Sequence, residues 1–127
     1  MTRDLATVSI PGLPIPKGRA RHGANGNVYT PAQTVDYESK VGWCGRQAMK
    51  ARRPSRARLA VVIDLYGEDI SVGDVDNYAK SILDGLNKIV YVDDKQVDDL
   101  HIRRHIEAPD PRAVVVVKEI HTHAATA

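Results

Sequence analysis

The sequence predicts an α+β layer fold: one small domain with a mixed four-stranded sheet and two helices, in the order β-α-β-α-β-β. Three observations carry this. Four short stretches, at 5–10, 59–66, 97–106 and 113–120, alternate or concentrate apolar residues as strands do. Two longer stretches repeat apolar residues at helical spacing. A chain of 127 residues, 43% apolar, has room for one modest core, built on Val, Ile, Leu and Ala because Phe is absent.

Each element has a local reason. Leu5–Ile10 alternates apolar with small polar residues. Residues 11–29 hold three prolines and four glycines, which predicts a long loop. Thr30-Pro31-Ala32-Gln33 predicts a helix start, with Thr30 as cap, Pro31 in the first turn and Gln33 completing a capping box. Tyr37, Val41, Cys44, Ala48 and Ala51 then share one helical face, with Gly42 and Gly45 weakening the helix locally. The basic run 50–58, broken by Pro54, ends it. Leu59, Val61, Ile63 and Leu65 face one way on the second strand. After a connector at 67–73, a second helix is predicted from about Asp74 to about Val90. Val75, Ala79, Ile82, Leu83, Leu86, Ile89 and Val90 lie on its apolar side. Residues 91–95 turn, and a third strand over 97–106 points Leu100, Ile102 and Ile106 inward. A turn at 109–112 leads to the fourth strand. The domain is expected over 1–120, with 121–127 a frayed tail.

No apolar run approaches the roughly 20 residues of a membrane span. A lone cysteine, Cys44, cannot form an internal disulfide, which fits a reducing cytoplasm. The five histidines do not form a zinc-binding pattern. The net charge of +2 hides an asymmetry: residues 1–58 carry a net +8 and residues 64–99 a net −7. A basic part suits a polyanionic partner. An acidic part of the same small fold repels that partner unless metal ions intervene.

The acidic part is concentrated. Asp74 and Asp76 open the second helix, Asn77 follows them, and Lys80 stands one turn later. Asp93 and Asp94 come after the helix. Asp at a helix start is also a common cap, and Lys80 is spaced for ordinary ion pairs with Asp76 and Asp84. Capping does not require both Asp93 and Asp94, however. Clustered carboxylates favour a hard divalent cation, and such a site beside a basic surface suits phosphodiester chemistry. A 17-residue helix sets its ends about 25 Å apart, so the two acid pairs meet only if the helix is shorter, the turn folds back, or a second chain contributes. Lys17, Arg19 and Arg21 alternate along the long loop and are candidates for backbone phosphates, with Arg52 and Arg53 in a second basic cluster.

The run Asp74-x-Asp76-Asn77-x-x-Lys80-x-x-x-Asp84-x-Leu86, then Asp93-Asp94-x-Gln96-Val97, resembles the signature of RusA-type Holliday junction resolvases. Upstream, Pro16-Lys17-Gly18-Arg19-Ala20-Arg21, Tyr29-Thr30-Pro31 and Thr34-x-x-Tyr37-Glu38 resemble the first half of many phage members, where proline often replaces Ala20. The resemblance implies a Mg²⁺-dependent endodeoxyribonuclease, with Mn²⁺ as a possible substitute ion, acting as a homodimer on four-way DNA junctions. By motif position, it implies Asp74, Asp76 and Asp94 as metal-binding catalytic carboxylates and Lys80 as the lysine beside them. Three rival readings stay open: a non-catalytic junction- or duplex-binding protein, a metal-dependent nuclease of other specificity (flap or nonspecific), and a small protein-interaction module.

Overall fold

The computed structural model describes residues 1–18, 21–24, 26–70 and 74–121. Two helices pack on a four-stranded mixed sheet, as predicted. Its strands are β1 (Thr2–Pro11), β4 (Arg58–Tyr66), β5 (Val97–His105) and β6 (Arg112–Ile120), in the order β1-β6-β4-β5. β6 runs antiparallel to both β1 and β4, and β4 pairs parallel with β5. A parallel pair needs a crossover, and α2 (Val75–Leu86) supplies it. The other helix, α1 (Ala32–Met49), connects β1 to β4 around a two-stranded hairpin of β2 (Arg21–His22) and β3 (Val28–Tyr29).

The core follows from the strand period. Val8 and Ile10 of β1, the Leu59–Leu65 alternation of β4, and Ala113 and Val115 of β6 are fully buried on one face of the sheet. Val41 of α1 and Ile82 and Leu86 of α2 close over them. Among the described residues, no helix is long and apolar enough to cross a membrane.

Five expectations need correction. The long loop at 11–29 contains the β2–β3 hairpin, and its first part is docked rather than free. Lys17 N–H donates to the Asn77 carbonyl at 2.9 Å, the Ser81 hydroxyl to the Ile15 carbonyl at 2.6 Å, and Gly18 N–H to Thr34 Oγ1 at 3.0 Å. No capping box opens α1. Pro31 itself is the N-cap, at ψ 142°, and no side chain bonds there. Ala51 lies beyond the helix in a left-handed conformation and is exposed.

The fourth correction is that α2 stops at Leu86, not near Val90. Lys88 turns left-handed (φ 67°) and donates its N–H to the Tyr91 carbonyl at 2.7 Å. Ser55 N–H donates to the Val90 carbonyl and Val92 N–H to the Ser55 carbonyl. The chain thus exchanges helical bonds for bonds to the segment before β4, while Val90 and Tyr91 stay fully buried. Finally, Leu100 and Ile106 are exposed, because β5 is an edge strand and Ile106 falls in the turn after it.

Candidate active site

The turn after α2 decides where the acids lie. A 12-residue helix is about 18 Å long, and the chain doubles back along it. The Tyr91 hydroxyl donates to the Leu83 carbonyl. A short 3₁₀ turn at Asp94–Gln96 follows, and Asp94 comes within reach of the charges of Lys80, midway along the helix, and of Asp84, in its last turn.

Asp93 and Asp94 differ in kind. Asp93 is the N-cap of this turn: its Oδ1 accepts from Lys95 N–H at 2.9 Å, and its own N–H donates to Gln96 Oε1 at 2.9 Å. This is a capping box. Its signal was present as Asp93-x-x-Gln96 and was missed in the sequence. Gln96 Nε2 in turn donates to the Ser55 and Ala57 carbonyls, each at 2.8 Å, which anchors the turn to the entry of β4. The Lys95 N–H holds the Asp93 carboxyl below its usual range. Asp94 moves the other way. Burial pushes its carboxyl up, and so do a hydrogen bond shared with Asp93 and the charge of Asp84, while Lys80 opposes them.

Asp74 is the N-cap of α2, but its side chain makes no capping bond. Asp76 lies in the first turn and, like Asp74, is exposed. Neither carboxylate is held by a hydrogen bond or ion pair among the described residues. Lys80, four residues after Asp76, is also exposed. Among the described residues, no three His, Cys, Asp or Glu side chains converge closely enough to hold a metal ion. Within one chain, then, Asp94 shares a hydrogen bond with Asp93 and feels the charges of Asp84 and Lys80, while Asp74 and Asp76 stay at the helix start. The donors themselves suit a hard cation: carboxylate oxygens, with no thiolate or imidazole among them.

Lys17 bridges the two helices. Its ammonium lies 2.6 Å from Glu38 Oε2 on α1 and 3.1 Å from Asp84 Oδ2 on α2. Burial works to lower its pKa, but the two carboxylates outweigh this and hold it above its usual range. Glu38 was not picked out as a site residue in the sequence, since nothing local marks its partner. Arg52 donates to the Met49 and Ala48 carbonyls, closing the end of α1, and Arg53 is exposed. Arg19 lies outside the described residues, and of Arg21 only the backbone is described, in β2.

A family model described as Endodeoxyribonuclease RusA matches residues 11–118. The chain is also similar to Uncharacterized protein YqaN of Bacillus subtilis (strain 168), with 43% identity over 47 residues. That alignment covers 37% of this chain and 32% of YqaN, so it spans about a third of the relative's length. The family match runs from the end of β1 through β6 and takes in both helices and every acid discussed above. The chain belongs to the RusA endodeoxyribonuclease family.

Proposed function

We propose that the protein is a Mg²⁺-dependent, structure-selective endodeoxyribonuclease that resolves four-way DNA junctions by paired symmetric nicks. One observation supports the reading beyond family membership: the chain folds back after α2, so Asp94 comes within reach of the charges of Lys80 and Asp84, while among the described residues the side chains of Asp74 and Asp76 make no hydrogen bond or ion pair. A helix built only for stability would use the Asp74 side chain as its cap.

Asp74, Asp76 and Asp94 would hold the divalent cation, which brings Lewis-acid stabilisation and a nucleophilic water at neutral pH. The rest falls to the chain's own side chains. Lys80 presents its ammonium where negative charge develops on the scissile phosphate. Asp93 takes no direct part; through its cap it holds the turn that carries Asp94. Asp84 adds to the acidic field that favours a cation there, and Lys17 keeps that field from forcing the helices apart. Two like-polarity cuts at fixed spacing need two identical sites, which a homodimer provides.

The test is a labelled four-way junction, a matched linear duplex and a flap, each incubated with wild-type protein and Asp76→Asn, with and without Mg²⁺. The reading requires paired nicks in the junction alone, Mg²⁺ dependence, and loss of cleavage with retained binding in the variant. Undiminished cleavage by Asp76→Asn removes the metal role, and equal cutting of the flap or duplex removes the junction selectivity.

A further inference from the structure

Beside the acidic site, the seam between α1 and the turn after α2 opens into two adjoining grooves of about 380 and 370 Å³, which share Arg46 and Ile89. The first is lined by three cations, Arg46, Arg52 and Lys88, and by no carboxylate. The second is lined by Trp43, which at 64% exposed is the most exposed aromatic residue of the described chain. Its two acids, Glu38 and Asp84, are the pair already bridged by Lys17.

We propose that a DNA strand leaving the branch point lies in the first groove, its phosphates on Arg46, Arg52 and Lys88, and that Trp43 stacks on a base exposed at the branch. The inference rests on the nuclease reading above and adds the surface that reads branched DNA.

The occupant follows from charge and shape. Three cations line one groove that no carboxylate lines, with Arg52 also closing the end of α1 and Arg46 and Lys88 left to meet a partner, and this suits a polyanion. A second copy of this chain is a poor fit, because an isologous contact centred on this groove sets each cation against its symmetry mates. An indole on a protein surface can stack only on a base whose face is free. A linear duplex offers such a face only at its ends, whereas a branch offers it internally. Trp43 is therefore a specificity residue, and the three cations are general ones.

Trp43 is the only tryptophan of the chain, so its emission reports its own surroundings. The experiment uses full-length protein carrying Asp76→Asn to suppress cleavage. It titrates a four-way junction and a hairpin-capped duplex, following both tryptophan emission and the anisotropy of a label on the DNA. The junction is expected to quench the emission and the capped duplex to leave it nearly unchanged. Trp43→Ala should weaken junction binding about fivefold or more and duplex binding little, with Trp43→Phe recovering most of the loss. Arg46→Gln with Lys88→Gln should weaken both DNAs and lower the salt slope by about 1.8, since each phosphate contact contributes about 0.9. Unchanged emission on junction binding overturns the stacking, and an unchanged salt slope overturns the groove. If the protein alone self-associates with a blue shift, and Trp43→Ala is monomeric in sedimentation, the face is a protein interface and the proposal fails. Absence of any DNA binding by the cleavage-silent protein refutes both this inference and the nuclease reading; selective junction binding with silent emission refutes this one alone.

Discussion

Replacing Gly85 by alanine tests how closely the two helices that frame the site approach. A Cβ at Gly85 would sit 2.8 Å from Val41 Cβ, 2.9 Å from Val41 Cγ1 and 2.9 Å from the Glu38 carbonyl oxygen. These distances are about half an ångström inside the 3.4 Å at which ordinary contact begins, and the last partner is helix backbone, which cannot rotate away. Overpacking of this kind costs about 1–3 kcal/mol. Alanine recovers about 0.5–1 kcal/mol of helix propensity. The net loss lies between about 0 and 2.5 kcal/mol, centred near about 1 kcal/mol, or about 4 °C in Tm for a domain of this size. Gly45→Ala is the matched control. It brings the same propensity gain, but its Cβ meets the Leu86 Cδ2 methyl, at 2.8 Å, and next Ile89 Cγ2, at 3.4 Å. Those are side-chain atoms that can shift, so its Tm should fall less. Urea and thermal melts of the two variants beside wild type make the comparison. A Gly85→Ala protein as stable as wild type, or less perturbed than Gly45→Ala, would refute the close crossing.

Other outcomes follow from the site. Asp93→Ala should lower the unfolding midpoint and reduce cleavage by releasing the Asp94 turn, whereas Asp94→Asn should abolish cleavage without loss of fold; circular dichroism and a junction assay separate the two. The Asp94 carboxyl is held above its usual range, so the folded chain binds its proton more tightly than the unfolded chain does, and ionising it opposes folding. Asp94→Asn should therefore exceed wild type in stability at pH 7, with the gap narrowing as pH falls through the raised Asp94 value and closed below about 4, where the carboxyl is protonated in both states, in urea melts at about pH 7 and about pH 3. Mg²⁺ should stabilise wild-type protein by about 2.7 kcal/mol at a hundredfold excess over Kd, seen as a rise in Tm, and leave Asp94→Asn unmoved. Far from the site, burial alone would raise the Asp64 carboxyl, but hydrogen bonds from Arg103 and His105 outweigh it and hold it low. Asp64→Asn should lose stability at pH 7, and the loss should disappear in acid as the wild-type carboxylate protonates, in melts from pH 2 to 7.

What the sequence made legible was periodic. The alternation of Leu59, Val61, Ile63 and Leu65 marks β4 because a half-buried strand must repeat every two residues, and all four are fully buried. The apolar stripe marks α2 for the same kind of reason. The same stripe misled at its end. Ile89 and Val90 continue the helical spacing, yet Val90 is buried outside the helix, paired through its carbonyl with Ser55. A burial pattern cannot say which backbone partner a residue chooses when the partner lies 35 positions away. Gly42, Gly45 and Gly85 show a similar limit. Along the chain they weaken helices, and only the packed pair of helices reveals that a side chain at Gly85 would strike the opposite backbone. Lys17 read as one of three cations on an open loop; its two carboxylate partners come from separate helices that no local pattern links.

The acids bring out the same point at the scale of one peptide bond. Asp93 and Asp94 are neighbours of one residue type, and by composition they are interchangeable. Their surroundings push their carboxyls in opposite directions, Asp93 down through a backbone N–H and Asp94 up through burial and two nearby carboxylates. Environments that split like groups in this way divide the labour between them. Here Asp93 is spent on the turn, and the turn is tied down by Gln96 to the Ser55 and Ala57 carbonyls and, beside it, by Tyr91 to Leu83. Those bonds hold Asp94 where burial, the hydrogen bond shared with Asp93 and the charge of Asp84 together disfavour its ionisation, against the opposing charge of Lys80. A divalent cation bound there, as proposed, would reverse that balance by favouring the ionised form. The Asp94→Asn melts and the Mg²⁺ titration therefore test one proposal from two sides, the first by removing the charge and the second by matching it.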